Sequence, residues 1–131
     1  MESKYTIEFD NEVAKILFEN KISVIFSTYQ AGRLMLLGSL DGAKLQQIPI
    51  PFKKPMGIAI KDNQLAVAGL DEICFFASNT SVVDSLKYNE KQIDQVYVFR
   101  GAYNTSSLDV HDLSYTSKNQ IIGVNTLFSC I

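Results

Sequence analysis

From residue 22 onward the chain is written in short apolar runs rich in Val, Ile, Leu, Phe and Tyr, parted by polar or glycine-containing turns. That is the pattern of antiparallel meanders. The runs also recur. Met56-Gly57-Ile58-Ala59-Ile60 corresponds to His111-Asp112-Leu113-Ser114-Tyr115, and after one extra turn residue Asn63-Gln64-Leu65-Ala66-Val67 corresponds to Asn119-Gln120-Ile121-Ile122-Gly123. Cys74 and Cys130 then fall in equivalent places. An offset of about 55 residues is one four-stranded propeller blade of roughly 40–50 residues plus a long loop. The architecture read from this is all-β: a partial β-propeller of two to three meander blades, preceded by one short N-terminal helix.

Residues 1–21 form the helical lead-in. Asp10 or Asn11 can cap a helix whose apolar positions Val13, Ile16 and Leu17 share a face. The first blade covers residues 22–50, with strands at 22–28, 33–39 and 44–48 and a hairpin turn at Asp41-Gly42. Pro49, Pro51 and Pro55 should interrupt the sheet, because proline has no amide hydrogen to give a ladder. The second blade covers 56–100. Within it the polar stretch 78–94 reads as a surface excursion, and 95–100 as the strand that completes the blade. A third blade starts at 109–131, with strands at 111–115 and 120–125 and another beginning at Leu127.

Propellers need four or more blades before the ring closes. With two to three blades and an apolar final run, Leu127-Phe128-Ser129-Cys130-Ile131, the chain is expected to be the N-terminal part of a larger domain. Its first partner would then be the remainder of that domain, or another copy of itself.

Lys and Arg number 12 against 14 Asp and Glu, a net charge of -2. A phosphate backbone needs the opposite balance, so no nucleic acid is expected as partner. The first dozen residues carry Glu2, Lys4, Glu8, Asp10 and Glu12 and no secretory core, and no run of about eighteen apolar residues occurs. The expectation is a cytoplasmic protein without a membrane span, with Cys74 and Cys130 as free thiols in apolar runs.

His111, the only histidine, is flanked by Asp109 and Asp112. In a regular strand residues 109 and 111 project to one face, so Asp109 could orient the imidazole as a general base or metal ligand. The preferred reading is hydrogen bonding between blades. Asp109 and Asn125 offer oxygen ligands for Ca²⁺ or Mg²⁺, and with Arg100 they could reach the mouth of a channel. Against this stands ordinary turn and strand-end bonding. Tyr29 and Gln30 at the first hairpin could present an aromatic ring and an amide to a ligand, or Tyr29 could simply pack over the turn. Cys130 as nucleophile with His111 as base has the right residue types, but its apolar surroundings argue against it.

Three segments together, Ser27-Thr28-Tyr29-Gln30-Ala31-Gly32-Arg33-Leu34, Leu108-Asp109-Val110-His111-Asp112-Leu113 and Val124-Asn125-Thr126-Leu127-Phe128-Ser129-Cys130, resemble in order and spacing the signature segments of an uncharacterised bacterial family, domain of unknown function 4915. The resemblance runs from about residue 23 to the end. It implies a longer, propeller-like domain and no assigned activity. The chain departs from the family's usual pattern at Phe99, where proline is typical, and at Ser106-Ser107, where Gly-Asp is typical. The function read from all this is a binding or scaffold module for an unknown protein or small-molecule ligand, without a cofactor. The alternative is a metal-dependent hydrolase of propeller type, acting on a lactone or phosphoester with Ca²⁺ or Mg²⁺ at the channel mouth.

Overall fold

The structure is a computed structural model that describes residues 8–83, 86–88 and 91–131, with the backbone alone at 80, 87, 88, 91 and 92. The start of the lead-in, residues 1–7, and residues 84, 85, 89 and 90 of the polar stretch lie outside the described residues.

Helix α1 spans Asn11–Glu19, and Asp10 is its N-cap, its carboxylate accepting from the Glu12 N–H at 2.9 Å. Capping satisfies one of the donors that a helix start leaves free. The helix buries Ala14 and Leu17, whereas Ile16 is half exposed. The inward stripe is therefore displaced from the expected face, because the small Ala14 is what lets the helix sit close.

Two antiparallel meanders and a hairpin follow. The first has β1 (Val24–Thr28), β2 (Arg33–Gly38) and β3 (Gln46–Pro51) in that spatial order. Its last turn is set by Asp41, whose Oδ1 accepts from the N–H groups of Ala43 and Lys44, beside Gly42 at φ +72°. Contrary to expectation, Pro49 and Pro51 belong to the sheet, in β3 and paired with Met35 and Arg33, whereas Pro55 lies beyond its end as expected. The reason is phase. Phe52 N–H donates to the Gly32 carbonyl at 3.0 Å, so even-numbered residues turn their amides toward β2 and the prolines face away from it. On an edge strand an amide facing outward can be missing at little cost.

The second meander has β4 (Ile58–Lys61), β5 (Gln64–Ala68), β6 (Glu72–Ser78) and, after an excursion, β9 (Tyr97–Asn104) as its fourth strand. The excursion contains a one-turn helix, α2 (Thr80–Val83), and a small ladder of β7 (Lys87–Tyr88) with β8 (Lys91–Gln92). The third sheet is the hairpin of β10 (Val110–Tyr115) and β11 (Ile121–Asn125). Residues 127–131 do not form the expected strand. Asn125 Oδ1 accepts from Phe128 N–H at 3.1 Å and the Asn125 backbone bridges Cys130, which folds the run into a turn with Ser129 at φ +52°.

Strand β5 explains how the sheets assemble. Successive side chains of a strand point to opposite faces, and β5 buries both sets. Leu65 and Val67 pack with Leu34 of the first sheet, while Ala66 and Ala68 pack with Val110 and Leu113 of the hairpin. The middle sheet is thus covered on both faces. On the hairpin side its wall is Gly57, Ala59, Ala66 and Ala68, small enough for backbones to approach closely, and Gly57 N–H donates to the Val110 carbonyl at 3.2 Å. The pairs Ile58–Val67, Ala59–Ala66 and Ile60–Leu65 have Leu113–Gly123, Ser114–Ile122 and Tyr115–Ile121 in the same register places.

Candidate functional site

Two of the residues singled out from sequence sit at β-bulges. Phe75 pairs with Gly101 and Phe76 with Phe99, which leaves Arg100 as the extra residue of β9. Val110 pairs with Asn125 and Asp112 with Val124, which leaves His111 as the extra residue of β10. A bulge re-aims its side chain relative to the regular alternation. The strand geometry expected for His111 and Asp109 is therefore absent, since Asp109 also lies outside β10 with φ +48°.

Asp109 and Asn125 are brought together, but by structural bonds. The Asp109 carbonyl accepts from Thr126 Oγ1 at 2.9 Å, and Asn125 Oδ1 is taken by Phe128 N–H. Asp112 Oδ1 accepts from Leu113 N–H at 2.9 Å. Among the described residues no group of three or more His, Cys, Asp or Glu is placed to hold a metal ion. Tyr29 lies at the first hairpin with the Lys54 ammonium 5.4 Å from its ring centroid, and Gln30 beside it is exposed.

Arg100 is the candidate that the fold places in a concavity. A cleft of about 590 Å³ opens between β9 and the β10–β11 hairpin, within the range of small-molecule sites. Its apolar wall includes Phe75 and Tyr103, whose rings meet edge to face at 5.4 Å, with Ile121 beyond. Phe75, Tyr115 and Ile121 are rooted in the core that joins the two sheets. Its polar lining is Arg100, Tyr115, Asn119 and the glutamines 64 and 120, with no carboxylate, histidine or cysteine among the described residues. The Tyr115 hydroxyl is shielded from solvent and has no hydrogen-bond partner among the described residues, and burial raises its pKa, so it stays neutral.

One wall is locked from outside. Lys61 Nζ donates to the carbonyls of Thr116 at 2.7 Å and Ser117 at 3.3 Å and to Asn119 Oδ1 at 2.6 Å. This ties the turn of the hairpin to the end of β4. Tyr103, Tyr115 and Asn119 were not singled out from sequence. Their only sequence signal is the strand-end and turn position of Tyr115 and Asn119, which many hairpins share.

A larger groove of about 670 Å³ lies between α1 and the first sheet, lined by Leu17, Phe18, Ile22 and Ile48 among others. Its charged residues Glu19, Lys21 and Asp94 are of mixed sign, and no orphaned polar group marks it.

The cysteines differ sharply. Cys130 is exposed and Cys74 is buried; both are free. The exposure of Cys130 departs from the apolar burial expected of it, because the turn at 126–129 carries the run away from the sheets. Burial, then the neighbouring Glu72 carboxylate, pushes the Cys74 thiol from 9.0 up to about 11. Between those values the unfolded chain releases a proton that the folded chain keeps, so the contribution is intact below pH 9 and is lost as pH rises toward 11. Cys74→Ala should therefore flatten the fall of melting temperature between pH 8.5 and 10.5. Iodoacetamide at pH 8 should label Cys130 and spare Cys74 until the chain unfolds; equal labelling rates would contradict this burial.

The fold and the cleft define the chain as a mostly antiparallel β protein with one N-terminal helix and a mixed aromatic and polar cleft between its second and third sheets. Residues 11–131 match the family described as Domain of unknown function (DUF4915), and the chain belongs to that family. No curated protein and no solved structure matches it. No described helix is long and apolar enough to cross a membrane.

Proposed function

We propose that the chain is a binding module rather than a catalyst, built of successive blade-like meanders, with its ligand in the cleft between β9 and the β10–β11 hairpin. The observation that carries this reading is Tyr115, a residue of the cleft wall whose closed-off hydroxyl finds no hydrogen-bond partner among the described residues. A buried orphan of this kind costs about 1–3 kcal/mol. The lining offers donors and aromatic surface but no group suited to take a proton from a substrate.

The test separates binding from packing. Tyr115→Phe removes the orphan, so the free protein should melt at the same temperature or higher. Screened by NMR against aromatic acids, amides and amines, the parent chain should show shifts at Tyr103 and Tyr115, and Tyr115→Phe should bind the same compounds more weakly. A less stable Tyr115→Phe variant with unchanged binding would overturn the reading.

A further inference from the structure

The charge and donor pattern of the cleft deepens that reading to a ligand class. Arg100 is the only ionised side chain among the described lining residues, and no hydrogen bond or ion pair to a described residue holds its guanidinium. The bulge that makes Arg100 the extra residue of β9 leaves Gly101 and Ala102 beside it in the lining, so little bulk crowds the approach. Asn119 is oriented by chemistry. Lys61 has only donors, so the amide oxygen must face it, as it does at 2.6 Å, and the Nδ2 donors of Asn119 are left for other partners. The Tyr115 hydroxyl, closed off within the wall, has no partner among the described residues.

A cation and a carboxamide donor, in a described lining whose other carboxamides are neutral and which holds no carboxylate, favour an anion. We infer that the cleft takes a small aromatic monocarboxylate, its carboxylate on Arg100 and Asn119 and its ring against Phe75 and Tyr103. The planar guanidinium matches a carboxylate through two parallel hydrogen bonds. One cation neutralises a single charge, which favours a carboxylate over a doubly charged phosphate monoester. The edge-to-face pair of Phe75 and Tyr103 supplies an apolar surface for a ring. This assignment rests on the cleft being the ligand site.

The experiment titrates the full chain with benzoate and with benzamide, its neutral isostere, following Tyr103 and Tyr115 resonances, and repeats both with Arg100→Met. Arg100 is exposed, so the variant should melt like the parent. Benzoate should bind at least about ten-fold more tightly than benzamide, and Arg100→Met should erase that difference by weakening benzoate far more than benzamide. Added salt should weaken benzoate alone. Equal binding of both probes, with no effect of Arg100→Met, would overturn the anion assignment while the cleft reading stands. If neither these probes nor any compound of the screen moves Tyr103 or Tyr115, both readings fail.

Discussion

Gly57→Ala should lower the stability of the chain by about 2–4 kcal/mol, and Gly57→Val by more. A Cβ at residue 57 would stand 2.8 Å from the Asp112 carbonyl carbon and 2.9 Å from Asp112 Cα and Leu113 N. All three are backbone atoms of β10 and cannot rotate away, so the hairpin as a whole must retreat. Retreat stretches the bond from Gly57 N–H to the Val110 carbonyl and opens the contact between Ala59, Ala66 and Leu113. Gly101→Ala is the matched control: nothing lies within 4 Å of its Cβ position, so that variant should stay within about 0.5 kcal/mol of the parent. Urea unfolding of the two variants and the parent measures the difference. A Gly57→Ala midpoint equal to the parent's would mean that β4 and β10 do not meet at this register.

Gly57 also shows where sequence reading stopped. The apolar run around Leu65 and Val67 marks a strand, and the recurrence of Gly57 to Ile60 as Asp112 to Tyr115 marks two hairpins alike. Strand existence is legible because short apolar runs are parted by turns that carry Asp, Asn and Gly. The tightness of the fit was not. Gly57, Ala59, Ala66 and Ala68 read as weak strand residues, and only the position of β10 shows that their smallness is what the packing requires. Pro49 and Pro51 were misjudged for a related reason, since edge or centre depends on which strand lies alongside.

The candidate site was legible in part. Arg100 was named because it closes a strand, but its bulge, and the meeting of β9 with the hairpin that puts Tyr103 opposite Tyr115 and Asn119, are long-range facts. A bulge leaves no mark in a single sequence when neither flanking residue is unusual. His111 stands out as the only histidine, and Asp109 and Asn125 as oxygen ligands near it. The structure occupies the Asp109 carbonyl and the Asn125 side chain in holding the chain at the entry and exit of the hairpin.

The hairpin itself is expected to depend on one side chain. Leu113 is buried among Val110, Ala59, Ala66 and Ala68, and its register equivalent in the middle sheet, Ile58, packs toward the first sheet in the same manner. Each hairpin thus leans on the sheet before it. Leu113→Ala removes the largest aliphatic side chain that β10 places in that contact, and the facing alanines have no length with which to fill the space. Such truncations cost about 2–5 kcal/mol, the upper end where the walls cannot collapse. Here Gly57 already holds the backbones near contact distance, so the cavity should persist and the cost should be high. The loss should also be local. Hydrogen exchange in Leu113→Ala should speed first at the amides of β10 and β11, with β1 and β2 retaining protection, because the first sheet shares no core cluster with Leu113. Ile58→Ala, at a half-buried position, should cost less and should speed exchange in the first sheet as well. Uniform loss of protection in Leu113→Ala would instead mean that the three sheets unfold as one unit and that the hairpin is not separately docked.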